Sequence, residues 1–282
     1  MEIIFGLIVF LVLVSLITGS LSGKFKKYRE LIKQPLNDDH RQIVENNFKL
    51  YLSLTREQQL KLEGLINLFL EEKNFEGCGG LEITDEIRVT IAAQACLLLL
   101  NNSTQPWYSR LTTIYVYPSA YKTKVNGVMA NGFVGTKEVV RLGESWVGGT
   151  VVLSWNHSKH GAINFEDGKN VVLHEFAHQL DQADGDSDGV PALATENCYM
   201  SWGVVHGKEF DKLVRKTMKN HKTVMDKYGA TNEAEFFAVA TESFFEKPAQ
   251  MTKKHPELYD TLKKYYGLDP VSWDYRNHKH RK

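Results

Sequence analysis

Two histidines stand four residues apart, with a glutamate directly after the first, in His174-Glu175-Phe176-Ala177-His178. On an α-helix, residues at that spacing lie about 40° apart around the axis, so both imidazoles can aim at one point. Two nitrogens converging on a point are most of a zinc site. Glu175 lies about 100° round from His174, where it can reach a water on the metal without ligating it. Zinc draws the pKa of such a water toward neutrality, and a carboxylate beside it then acts as general base. The chemistry on offer is hydrolysis of a carbonyl compound, a peptide above all. The opposing reading is a pair of ordinary buried histidines. Against it, Val171-Val172-Leu173 and the small Ala177 place the motif on a buried helix, where histidines need partners.

Two histidines leave a catalytic zinc one protein ligand short. His206, His221, Glu233, Glu235 and Glu242 are the downstream candidates. The longer HExxHxxGxxH pattern is absent, since Asp181 stands three after His178, so the third ligand must come from another helix. The stretch YGATNEAEFFAVATESFFE, residues 228–246, supplies one, with Thr231 or Asn232 as its N-cap. At about 100° per residue, Glu235, Val239, Glu242 and Glu246 share a face, while Phe236, Phe237, Ala240 and Phe244 fill the other. Glu233 sits about 160° from Glu235, in the first turn, where an acid suits the helix dipole. Glu235 runs straight into Phe236-Phe237-Ala238, and a buried acid is costly unless paired or metal-bound. That favours Glu235 over Glu242. Tyr228 precedes the helix and could donate to an oxyanion, although a tyrosine there also serves simply as a packing residue. The acidic run Asp184-Gly185-Asp186-Ser187-Asp188-Gly189 copies the start of a calcium loop, but the twelfth position is Thr195 rather than glutamate.

The elements that must position these groups are legible in outline. Thr55 with Gln58 forms a capping box ahead of one amphipathic helix. Thr84, followed by Asp85 and Glu86, caps a second, nearly all-apolar helix. Residues 112–155 are broken, β-branched and aromatic runs that read as short strands. From Gly207 onward the pattern is helical again, with Pro248 and Pro256 separating the last two helical stretches.

The chain has 282 residues, with 34 Lys+Arg balanced by 34 Asp+Glu, so no net field draws it to nucleic acid, and none is expected as a partner. Its three cysteines, Cys78, Cys96 and Cys198, are odd in number and lack a CxxC, which argues against a disulfide framework. Ile3–Gly23 carries no charge and is about long enough to cross a bilayer. Lys24, Lys26, Lys27 and Arg29 follow it, and Glu2 precedes it, which suits an anchor better than a cleaved signal peptide. The expected division is a transmembrane anchor over residues 1–23, a juxtamembrane segment over 24–50 and a metallopeptidase domain over 51–282. The expected location is a single pass through a bacterial inner membrane, with the catalytic domain in the cytoplasm.

The stretches EKNFEGCGGLEITDEIRVTIAAQACLLLL, VYPSAY, GTVVLSW, NVVLHEFAHQLDQADG and YGATNEAEFFAVATESFFE resemble the Mlc titration factor A family of zinc metallopeptidases. YGATNEAEFFAVA also resembles the catalytic domain of anthrax lethal factor. The resemblance implies Zn2+ held by His174, His178 and Glu235, with Glu175 and Tyr228 at the active site. It implies an α+β, zincin-like fold with a small twisted sheet and an HExxH helix, here preceded by the transmembrane helix. It implies aminopeptidase-type activity on a peptide or protein substrate, and as an alternative the sequestration of a regulatory protein such as a transcriptional repressor. GTVVLSW is the natural candidate for an edge strand that pairs with the substrate.

Overall fold

The computed structural model describes residues 23, 26–101, 108–128, 134–141, 143–146 and 149–273. Helix α1, Asp38–Asn47, starts where the Asn37 side chain accepts from the His40 N–H. Helix α2, Arg56–Glu72, begins with the full capping box of Thr55 and Gln58. Helix α3, Asp85–Leu97, is capped by Thr84, and every residue from Val89 to Leu97 is buried. The core already takes in residues of and around α1, with Leu36, Val44, Phe48 and Leu50 all buried.

The strands are β1 (Asn74–Gly77), β2 (Thr113–Tyr117), β3 (Tyr121–Val128), β4 (Val134–Arg141), β5 (Gly143–Trp146) and β6 (Thr150–Ser154). One sheet has the order β1-β2-β6-β5. Its first three strands run parallel, and β5 pairs antiparallel to β6 with Gly143 opposite Leu153. Strands β3 and β4 form a separate antiparallel pair. Gly149, on the short return from β5 to β6, has φ +82°, and a Cβ there would stand 2.2 Å from the Arg110 carbonyl oxygen. Only glycine fits that turn.

This topology corrects the expected edge strand. GTVVLSW supplies β6, which lies inside the sheet between β2 and β5. Val151, Val152 and Leu153 are all buried, the mark of a strand covered on both faces. Among the described strands, the edge on that side is β5.

Helices α4 (Trp155–Ile163), α5 (Val171–Asp181), α6 (Glu196–Met218), α7 (Glu233–Glu246), α8 (Pro248–Lys254) and α9 (Pro256–Tyr266) complete the domain. Both prolines stand at helix starts, where a missing N–H costs nothing. Phe176 of α5 packs on Phe69 and Tyr108, with ring centroids 5.7 and 4.9 Å away. Phe237 of α7 meets Trp202 of α6 at 5.5 Å, and Phe244 meets Tyr259 at 5.0 Å. Helices α5 and α7 pack directly against one another, and these aromatic contacts tie each of them to the rest of the core.

The expected single-pass membrane location is also corrected. Among the described residues, no helix is long and apolar enough to cross a membrane. The longest, α6, carries Lys208, Glu209, Asp211, Lys212, Arg215 and Lys216, and the nearly all-apolar α3 has only 13 residues. The stretch from which the anchor and its membrane contact were read lies, up to residue 22, outside the described residues.

Candidate metal centre

Helix α5 opens at the buried Asn170, whose side-chain oxygen accepts from the Leu173 N–H at 3.0 Å and whose amide donates to the Gly161 carbonyl at 3.1 Å. Val172, Leu173, Phe176, Ala177 and Leu180 are buried in the core. That fixes the rotation of the helix and brings His174 and His178 out together, their rings 4.9 Å apart. Helix α7 opens at Asn232, whose side chain accepts from the Glu235 N–H at 2.8 Å. Glu235 therefore stands in a capped first turn facing α5. Its Oε2 lies 2.9 Å from His174 Nε2 and 3.4 Å from His178 Nε2.

His174, His178 and Glu235 each offer one ligand atom, and those atoms lie within 4.8 Å of one another. Among the described residues this is the one such group. Two imidazoles and a carboxylate fit a divalent metal, and three protein ligands are the number that leaves a coordination position open. The group could hold a metal ion. Its electrostatics agree. Burial works to lower the His174 pKa, but hydrogen bonds to Glu235 and Glu242 and the nearby Glu175 charge hold it well above the ordinary imidazole range. Burial works to raise the Glu235 pKa, and its bonds to His174 and His178 override that and hold it well below the ordinary carboxyl range. A carboxylate that stays ionised against two imidazoles can exchange those bonds for a cation.

Glu175 is buried, next to the first residue of β5. A Cβ at Gly143 would stand 2.5 Å from Glu175 Oε1 and 2.7 Å from its Cγ. The glycine lets the edge strand come directly onto the glutamate. Tyr228 lies in the short helix Lys227–Ala230, started by Asp226, which accepts from the Tyr228 N–H. Its hydroxyl donates to Glu235 Oε1 at 3.2 Å, its ring is 6.1 Å from that of His174, and it is 54% exposed. The tyrosine therefore covers the Glu235 carboxylate from the solvent side.

The remaining candidates fall elsewhere. Glu233 is exposed in the first turn of α7. His221 is exposed, and His206 is buried, stacked on Trp202 at 3.7 Å, with burial pushing its pKa down to about 3. In the acidic loop, Asp184 accepts from the Asp186 N–H and Asp188 from the Val190 N–H, while Thr195 caps α6. The loop is folded by its own turns. Glu242 touches His174 at the other ring nitrogen: Nδ1–H donates to Glu242 Oε1 at 2.7 Å. Sequence reasoning weighed Glu242 only as a rival ligand. The signal for this second task was the shared face of Glu235, Glu242 and Glu246.

A family model described as Glucose-regulated metallo-peptidase M90 matches residues 23–267. An uncharacterized protein of Synechocystis sp. is 42% identical over 244 residues, covering 86% of this chain and 88% of that protein. Mlc titration factor A of Cronobacter sakazakii is 29% identical over 238 residues, covering 79% of this chain and 83% of that protein. Mlc titration factor A of Escherichia fergusonii is 30% identical over 227 residues, covering 78% and 82%. The family resemblance read from the motifs holds.

Proposed function

The chain belongs to the glucose-regulated metallo-peptidase M90 family, and from that premise we propose that it is a zinc-dependent peptidase of zincin type. One observation carries the reading: three ligand atoms from two separate helices converge within 4.8 Å, with a buried glutamate next to the first histidine. His174, His178 and Glu235 are the ligands. Zinc held there supplies a Lewis acid for the scissile carbonyl and makes a water easier to deprotonate. Glu175 takes the proton from that water and returns it to the leaving amine, and its burial beside Gly143 keeps it in place. Tyr228, through its hydroxyl, donates to the oxygen that gains charge. The outer edge of β5 offers backbone groups on which an extended peptide adds as a further strand, ending at Glu175. Aminopeptidase-type action is the expected specificity, from the family resemblance.

A second reading comes from names. Relatives are called Mlc titration factor A, and a protein so named acts on Mlc. By analogy this chain would capture a regulatory protein. An intact Glu175 favours the enzyme, since capture needs no general base. Glu175→Gln tests the enzyme reading: zinc content should match the wild type while cleavage of a panel of free and N-terminally blocked peptides falls about 10²–10⁴-fold. Unchanged hydrolysis in that variant would sink the assignment of the base.

A further inference from the structure

Glu242 is buried two turns along α7 from Glu235 and uses both of its oxygens on α5. Oε1 accepts from His174 Nδ1 at 2.7 Å, and Oε2 accepts from the Asn170 backbone N–H at 2.6 Å. Asn170 is the N-cap of the helix that carries both histidines. One turn further on, Glu246 Oε2 accepts from the Gly168 and Lys169 N–H groups at 2.7 and 3.0 Å. Carboxylates of α7 thus grip the start of α5 at successive points, and only Glu242 of this pair also holds a ligand side chain. A neutral imidazole has one N–H and one lone pair. Glu235 faces Nε2 at 2.9 Å in the same way. Once a metal shared with Glu235 takes the place of the Nε2 proton, the carboxylate at Nδ1 keeps its N–H and the lone pair is on Nε2.

We propose that Glu242 is a positioning residue that fixes His174 as the Nδ1–H tautomer, aims Nε2 at the metal and locks that aim to the N-cap of α5. The inference rests on the zinc reading above and goes beyond it, because it assigns a task to a residue that is not itself a ligand. One carboxylate sets both the ring and the helix end from which the ring projects. Its loss therefore loosens the metal without removing a bond to it.

The test is a zinc titration of the full chain against a chromophoric chelator, using wild type, Glu242→Gln and Glu246→Gln. Glu242→Gln keeps the volume, but its amide can turn an N–H toward Nδ1 and so invert the tautomer. We expect its zinc Kd to rise about 10–100-fold. Glu246→Gln, which grips the same loop without touching His174, should lower the melting temperature and leave the zinc Kd unchanged. Equal Kd values for Glu242→Gln and wild type would overturn the inference while leaving the zinc site standing. Equal losses in both variants would overturn it too, because general loosening of α5 would then suffice. Absence of zinc binding by the wild type would overturn the proposed function and this inference with it. Should Glu242→Gln fail to fold, imidazole 15N shifts of the zinc-loaded wild type decide. A protonated Nδ1 with Nε2 on the metal is expected, and coordination through Nδ1 overturns the proposal.

Discussion

At the scale of single residues, Glu235 and Glu233 make the sharpest contrast. They lie two positions apart in one helical turn, yet only Glu235 reaches the histidines. Glu235→Ala is expected to weaken zinc binding by more than the roughly 100-fold that an outer partner typically costs, and Glu233→Ala to leave it unchanged. Chelator competition checks both. The raised His174 pKa sets the sign of the pH dependence. Without metal, pairing of protonated His174 with Glu235 and Glu242 stabilises the fold fully below the ordinary value of 6.5 and fades as pH rises through the raised one. Zinc needs that proton gone. Zinc affinity should therefore fall with decreasing pH, and binding near neutrality should release a proton, seen as a buffer-dependent enthalpy in calorimetry. Buffer-independent heat would contradict this. The nearness of His174 and His178 was legible because a four-residue spacing on a helix is local geometry. Glu235 was reachable by its position beside an apolar run. The double grip of Glu242 was not legible, since its partners lie on another helix and their alignment is a fact of packing.

At the scale of elements, local signals served well and pairing signals did not. Thr55 and Thr84 accept from the backbone N–H three residues on, as their types and contexts implied, and of Thr231 and Asn232 it is Asn232 that does so. A cap is decided within four residues. The place of a strand in a sheet is decided by its neighbours, and the apolar run of β6 was therefore mistaken for an edge. The edge strand β5 announces itself only through Gly143, whose lack of a side chain leaves room for Glu175. Its φ is not positive, so alanine suits the backbone there, and the added Cβ would press on Glu175 and on Val171, whose Cγ2 would stand 2.7 Å away. That variant is expected to retain its fold and zinc affinity while kcat drops toward the ~10²–10⁴-fold loss of a missing general base. Steady-state kinetics beside a zinc titration test it. Wild-type kcat in Gly143→Ala would show that Glu175 tolerates displacement or is not the base.

At the scale of the whole molecule, the family membership spans nearly all of the domain, from residue 23 to 267. Two of the five stretches that revealed it, NVVLHEFAHQLDQADG and YGATNEAEFFAVATESFFE, carry the three candidate ligands. The membrane location was read from one uncharged run and its flanking charges and finds no support among the described helices. If zinc ties α5 to α7, removing it should loosen a junction that lies between the sheet and the C-terminal helices. Stripping the metal with a chelator is expected to lower the melting temperature by on the order of 10 °C, from the ~4 kcal/mol that a ligand at a thousand times its Kd contributes. Restoring zinc should reverse the shift, and a melting temperature indifferent to the metal would place any bound zinc away from that junction.

The most direct measurement is an anomalous difference map at the zinc edge from crystals of the zinc-loaded wild-type protein. The account predicts one peak, about 2.0–2.2 Å from His174 Nε2, His178 Nε2 and a Glu235 carboxylate oxygen, with Glu242 bonded to His174 Nδ1 and not to the metal. A peak elsewhere, a peak ligated by Glu242 in place of Glu235, or no peak in crystals soaked with zinc would contradict it.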